Sequence, residues 1–254
     1  MGQPLAHLLP AIRRNGLGGW LADLYRYLRF AALLIVAGLS PSVHDRATRR
    51  HTSRILCAAA WQPLPGYLLT SILISAVLTR IVTVTAAGYG LSHLALEAIL
   101  RVFVVELLPL AATLAVAARA LPMAMQQLSA EPGRPRASLR DALPFAVGNG
   151  IAVGVLAVIG GLLSLVVAYL VVHGFSPWAL AGYARLIGQV FDPLLAVALA
   201  AKLALFGIAV GIAPTTVILD PRKGDAGLRE MRVMVRLLLI LVLIEGSFLV
   251  LRGF

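Results

Sequence analysis

Five long apolar segments constrain this chain more than any other feature of its sequence. They run roughly over residues 64–87, 94–118, 143–172, 190–213 and 233–251. A helix rises 1.5 Å per residue, so about 20 residues cross a hydrocarbon core of about 30 Å. In lipid, backbone N–H and C=O groups have to be satisfied within the chain, and separate apolar segments do this as helices. Composition agrees: 60% of the 254 residues are apolar without counting Gly, and 13% are charged. A soluble domain has about 45–50% and 25%. The sequence therefore predicts an all-α integral membrane protein with five transmembrane helices. A disordered chain and a collagen-like chain are excluded. So is a disulfide scaffold, because Cys57 is the single cysteine.

The first 62 residues read differently. The apolar run 30–39 is too short to span. Before it, Trp20, Leu21, Leu24, Tyr25 and Leu28 recur at helical spacing beside Arg26 and Arg29. That pattern predicts an N-terminal helix lying in the membrane interface. The expected organisation is an interfacial cytoplasmic segment over 1–62 and a five-span domain over 63–254, with a cytoplasmic loop at 119–142.

The formal net charge of +11 would suggest nucleic acid in a soluble protein. Here the placement of the charges gives another reading. Eight Arg fall in 1–62. Arg119, Arg134, Arg136 and Arg140 fall after the second span, and Arg222, Lys223, Arg229, Arg232 and Arg236 fall after the fourth. Toward the opposite side fall only Arg80, two turns before the end of the first segment, and Arg185 and Arg252. The positive-inside rule then places the N-terminus in the cytoplasm and the C-terminus in the periplasm. Basic clusters at membrane depth fit anionic headgroups and argue against nucleic acid.

No phosphate-binding G-x-x-x-x-G-K-[ST] loop, H-E-x-x-H zinc motif, Cys/His cluster or G-x-S-x-G elbow occurs. The expectation is a non-catalytic membrane subunit with no metal. What remains is a set of ionisable residues at membrane depth: Glu97, Arg101, Glu106, Asp192, Lys202 and Glu245. Charges there are costly and normally face a cavity or a partner. Glu97 and Arg101 stand four apart and could neutralise one another. His93 and Glu97, also four apart, are too few to indicate a metal. Glu106 has no local partner. It precedes Pro109, whose missing N–H frees a carbonyl one turn earlier. Glu106 therefore marks either a polar spot in a helix-lined cavity or a carboxyl bonded to a neighbouring helix. Gly207 and Gly211 form a small-xxx-small pair, and Gly148, Gly150 and Gly154 open the third span, so close helix packing is expected. The stretch 119–141 reads as a short amphipathic helix followed by a proline-broken basic segment. It suits docking on a cytoplasmic partner or contact with headgroup phosphates.

Over roughly residues 50–254 the chain resembles the MlaE family, the permease subunits of bacterial ABC transporters that work with MCE proteins in lipid traffic. Four stretches carry the resemblance. Residues 98–119 resemble the family's R-E-L-G-P followed by small residues and G-R, with Glu106, Pro109 and Arg119 matching, Val105 in place of Arg and Leu108 in place of Gly. Gln127-Leu128 resembles part of T-E-Q-[IL], with Gln126 in place of the acid. Lys202 to Gly207 matches K-x-x-x-F-G. The Asp that usually precedes the Lys is absent, and Asp192 stands about one turn before its place. Ala226-Gly227 precedes the last span, where Glu245 takes the place of an Asp.

The resemblance implies a dimer in the bacterial inner membrane. Each copy would dock a separate ABC ATPase, which holds the ATP and Mg, through Arg119, Met125, Gln127, Leu128 and Arg140. An MCE hexamer would cover the periplasmic face, and a small cytoplasmic regulatory subunit could join. A phospholipid would lie in a cavity near Tyr89, Arg101 and Glu106, with Asp192, Lys202 and Glu245 as further polar positions in the membrane. The reading kept beside this one is an ion- or proton-coupled secondary transporter using Glu106, Asp192 and Lys202 as a relay.

Overall fold

The computed structural model describes residues 29–34, 36, 46–90, 92–128, 139–215 and 226–252. Apart from turns and short connections these residues are helical, and none of them is in a strand. Helix α1 (Arg46–Trp61) leads through a turn at Gln62-Pro63 into α2 (Leu64–Ala87). Helix α3 (Ser92–Ile99), a π-helical stretch (Leu100–Leu107) and α4 (Leu108–Leu128) follow one another without a break. Helix α5 (Leu139–His173) comes next, then a 3₁₀ turn (Pro177–Ala179) and α6 (Leu180–Val190). Helices α7 (Pro193–Thr215) and α8 (Ala226–Arg252) complete the described chain.

Five stretches are long and apolar enough to cross a membrane: Thr48–Ala87, Leu96–Ala124, Asp141–His173, Pro193–Thr215 and Glu230–Leu251. By length and composition this is a multi-pass membrane protein. The burial pattern of α2 shows the same thing physically. Its buried face carries Tyr67, Ser71, Ser75 and Thr79, while Leu69, Leu73, Val77, Ile81 and Val84 point outward. A helix whose aliphatic side chains face out and whose hydroxyls face in is matched to hydrocarbon surroundings. Across that inner face Ser164 donates to Ser75 Oγ at 2.9 Å, joining α5 to α2.

Helix α5 is the hub, packing against α1, α2, α4 and α7. Its contact with α7 is made backbone to backbone. A Cβ on Gly207 would lie 2.8 Å from the carbonyl oxygen of Gly150, and a Cβ on Gly211 would press on the backbone of Ala146. The glycine pair thus sits where two spans touch without side chains between them. Gly154 has nothing within 4 Å of its place for a Cβ and takes no part. Helix α5 stops at Gly174, whose φ of +62° suits a residue without a Cβ.

Helix α1 is part of this bundle. Its Ile55 covers Gly148 of α5, and Ile55 and Ala59 are buried. Phe30 and Leu34 pack against Leu143 and Ile212, so part of the 30–39 run docks on the starting end of α5. The interfacial helix expected around Trp20–Leu28 lies outside the described residues.

One sequence expectation changes, and one link between spans proves to hold a helix. Residues 119–128 do not form a loop, because α4 carries the second span on to Leu128. Ala, Leu, Met and Gln favour helix there, and Pro122 is accommodated inside it. The connection is therefore confined to 129–138, which lies outside the described residues. The link between the third and fourth spans is not plain loop. It contains α6, whose buried Tyr183, Leu186 and Val190 recur at three- and four-residue spacing.

Candidate functional site

The site forms where the second, fourth and fifth spans meet, and Lys202 is its centre. Lys202 lies midway along α7 with 2% of its side chain exposed. Its ammonium pairs with Glu106 Oε2 at the end of the π-helical stretch and donates to Glu245 Oε1 of α8 at 2.8 Å. It also donates to the carbonyl oxygen of Val105 at 3.3 Å. An ammonium has three N–H donors, and these three acceptors satisfy all of them. The ring of Phe206, one turn on, lies 5.7 Å from the charge and adds a cation–π contact.

The third acceptor has a local cause. Pro109 has no N–H to give the carbonyl of Val105 four residues earlier. Just before it the chain winds as a π-helix, with Leu108 N–H bonded to Phe103 O five residues back. The freed carbonyl is therefore available to Lys202. Tyr67 of α2 donates to the neighbouring Leu108 carbonyl at 3.4 Å, which ties a fourth helix to the same irregular turn.

The carboxyls of Glu106 and Glu245 keep 12% and 17% of their side-chain surface exposed. The cluster is thus closed around the ammonium and slightly open on the carboxyl side. Burying an ammonium costs several kcal/mol unless charge and hydrogen bonds compensate it, and here both do. The arrangement can hold a proton or a cation beside two carboxyls. It can also switch if one of its three helices moves.

Glu106, expected without a local partner, finds one 96 positions along the chain. Lys202 and Glu245 join it. Asp192 does not: it stands just before α7 and accepts from Leu195 N–H at 2.7 Å, capping that helix. Ten residues of helix, about 15 Å, separate it from Lys202. A relay of Glu106, Asp192 and Lys202 is therefore not what the structure brings together. Glu97 and Arg101 form no ion pair either. Arg101 lies on the π-helical stretch, where turns close at five residues instead of four, so four-residue spacing no longer stacks the two. Arg101 instead shares a cavity with Asp192.

Tyr89 is exposed in the turn after α2. Glu106 comes fourteen residues after Ser92, just past that turn, which puts about 20 Å of helix between Tyr89 and the charged cluster. Arg119 and Gln127 are exposed on α4. The backbones of Met125, Leu128 and Arg140 are helical, while their side chains lie outside the described residues. No group of three or more His, Cys, Asp or Glu suited to a metal occurs among the described residues.

One cluster had no sequence reading. The rings of Tyr169 and His173 of α5 and Tyr183 of α6 pack together in tilted and edge-on contacts, with centroids 5.2–6.1 Å apart. Tyr183 donates to Leu165 O at 2.8 Å, and burial pushes its phenol up to about 12. The i, i+4 spacing of Tyr169 and His173 was the available signal.

No family model matches the sequence, and no curated protein matches it.

Proposed function

We propose that this chain is the membrane subunit of an ATP-driven phospholipid transporter of the MlaE kind. One observation supports the reading most. Glu106, Lys202 and Glu245 come from three separate stretches of the sequence resemblance, and the three side chains meet at one buried point. Charges at membrane depth pair in many folds; what favours this reading is that the three partners fall on three separate stretches of the resemblance.

In this reading two copies form the transport unit in a bacterial inner membrane, with N-termini in the cytoplasm and C-termini in the periplasm. A separate ATPase supplies hydrolysis and holds ATP and Mg. It docks around the end of α4 and the 129–138 connection, where Arg119 and Gln127 are exposed. MCE proteins receive or deliver lipid on the outer face. This chain performs no covalent chemistry. Its work is to exchange two packings, and nucleotide on the partner shifts their populations by binding one better than the other. A cluster joining three spans through one ammonium suits such a two-state element, because moving any span breaks a buried charge pair.

Purifying the tagged chain from native membranes in mild detergent tests the proposal. Recovery of an ATPase, an MCE-domain protein and extractable phospholipid is expected. A chain recovered alone, with neither protein, contradicts it.

The second reading is a proton- or ion-coupled transporter, favoured by two carboxyls sharing one ammonium at membrane depth. It requires transport without nucleotide, driven by a pH or ion gradient.

A further inference from the structure

The charges of Arg101 and Asp192 lie outside the Lys202 cluster and share a cavity of their own. The cavity measures about 310 Å³ and is walled by Arg101, Asp192, Leu194, Leu195 and Ala198. Arg101 has no ion-pair partner among the described residues, and Asp192 forms none with it. Opposite charges at membrane depth attract strongly and normally pair. Here they stand on the walls of one cavity and do not close on one another. Asp192 uses one carboxylate oxygen on Leu195 N–H, which leaves its other oxygen uncommitted by that bond. The other walls are apolar, and Leu194 is 78% exposed.

The cavity also sits above the buried cluster. Arg101 is five residues, about one π-helical turn, before Glu106. Leu195, Ala198 and Lys202 follow one another at three- and four-residue spacing on α7. Both walls thus descend from the cavity towards the ammonium.

We propose that this cavity binds a zwitterionic phospholipid headgroup with a primary amine. Arg101 holds the phosphate, Asp192 holds the ammonium, and the exposed leucine lies along the start of the acyl chains. A guanidinium matches a phosphate bidentately, and a carboxylate accepts directly from an ammonium N–H. A quaternary amine has no N–H to give, and an anionic glycerol headgroup leaves Asp192 facing no cation. The inference deepens the lipid-transport reading and rests on it for its biological sense, but binding is measured on this chain alone.

The test is displacement of a fluorescent phosphatidylethanolamine from the purified full chain in detergent by unlabelled lipids. Phosphatidylethanolamine should compete about tenfold better than phosphatidylglycerol or phosphatidylcholine, the value of about one charge-assisted hydrogen bond. Asp192→Asn keeps the helix cap, because Asn caps as well as Asp. It should abolish that preference while phosphatidylglycerol binding holds or improves. Arg101→Gln should weaken all three lipids alike. Size-exclusion profiles and Tm within a few degrees of wild type show that both variants fold. An unchanged preference in Asp192→Asn overturns the proposal. So does displacement by soluble glycerophosphoethanolamine at the same concentration as the lipid, since the ligand would then be a free phosphoester. Recovery of the ATPase with no headgroup preference overturns this inference alone. A headgroup preference on a chain that recovers no ATPase leaves the inference standing and sinks the ABC reading.

Discussion

Lys202 on α7 donates to the carbonyl oxygen of Val105 at 3.3 Å, an acceptor on another span whose α-helical donor position is taken by Pro109. A lysine this deep needs three acceptors. Two are carboxyls, and the third exists because Pro109 cannot bond back to it. The charged cluster and the irregular winding of the second span are therefore one feature.

Removing the ammonium should be the most damaging single change in the site. Lys202→Met leaves two carboxyls without their cation, a loss of about 3–5 kcal/mol for a broken buried pair. Thermal unfolding in detergent should show a clear fall in Tm. Adding Glu106→Gln and Glu245→Gln to Lys202→Met should recover most of it. A single variant as stable as wild type would show that the cluster carries no structural weight.

Pro109→Ala tests the origin of the π-helical stretch. The new N–H offers Val105 an intrahelical bond and takes it from Lys202. Stability should change little, because the gain from losing a helix proline is offset by the acceptor that the buried ammonium loses. Lipid transfer should fall about tenfold, the equivalent of about 1.4 kcal/mol of misplacement in the site. Wild-type transfer in this variant would separate the winding from function.

The α5–α7 contact predicts a contrast between two glycines. Gly207→Val drives a side chain into the backbone of Gly150 and should cost about 1–3 kcal/mol as the spans part. Gly154→Ala meets nothing within 4 Å and should be neutral. Equal Tm shifts for the two would contradict the packing described.

Tyr183 predicts an alkaline limit. Its phenol is pushed from 10.0 up to about 12 by burial. The unfolded chain therefore gives up this proton first as pH rises. The stability it contributes is complete below pH 10 and is lost as pH climbs from there through about 12. Comparing Tm of wild type and Tyr183→Phe from pH 8 to 12 should show the wild type falling faster above pH 10. Parallel curves would mean that Tyr183 ionises as freely in the fold as outside it.

The spans were legible because a long, predominantly apolar run needs no knowledge of its neighbours. The run 64–87 coincides with α2, and the other spans shift by a few residues at most ends. The freed carbonyl before Pro109 was legible too, since it follows from one residue's chemistry. Its taker was not, because Lys202 lies 97 positions away and local reading ends with the helix. The expected Glu97–Arg101 pair assumed α-helical winding, which the π-helical stretch replaces. Asp192 was grouped with Lys202 by spacing, but a residue just before a helix caps it and does not point along its face. Residues 119–128 read as loop because charge and Pro122 ended the apolar run, although neither ends the helix.

The most direct test of the central claim is fluorescent-phospholipid transfer by the complex recovered with this chain, reconstituted in vesicles with and without ATP. The account predicts transfer that requires ATP in the wild type and is lost in a folded Glu106→Gln, Lys202→Met, Glu245→Gln variant. Transfer driven by a pH gradient without nucleotide, or a wild-type rate in that variant, would contradict it.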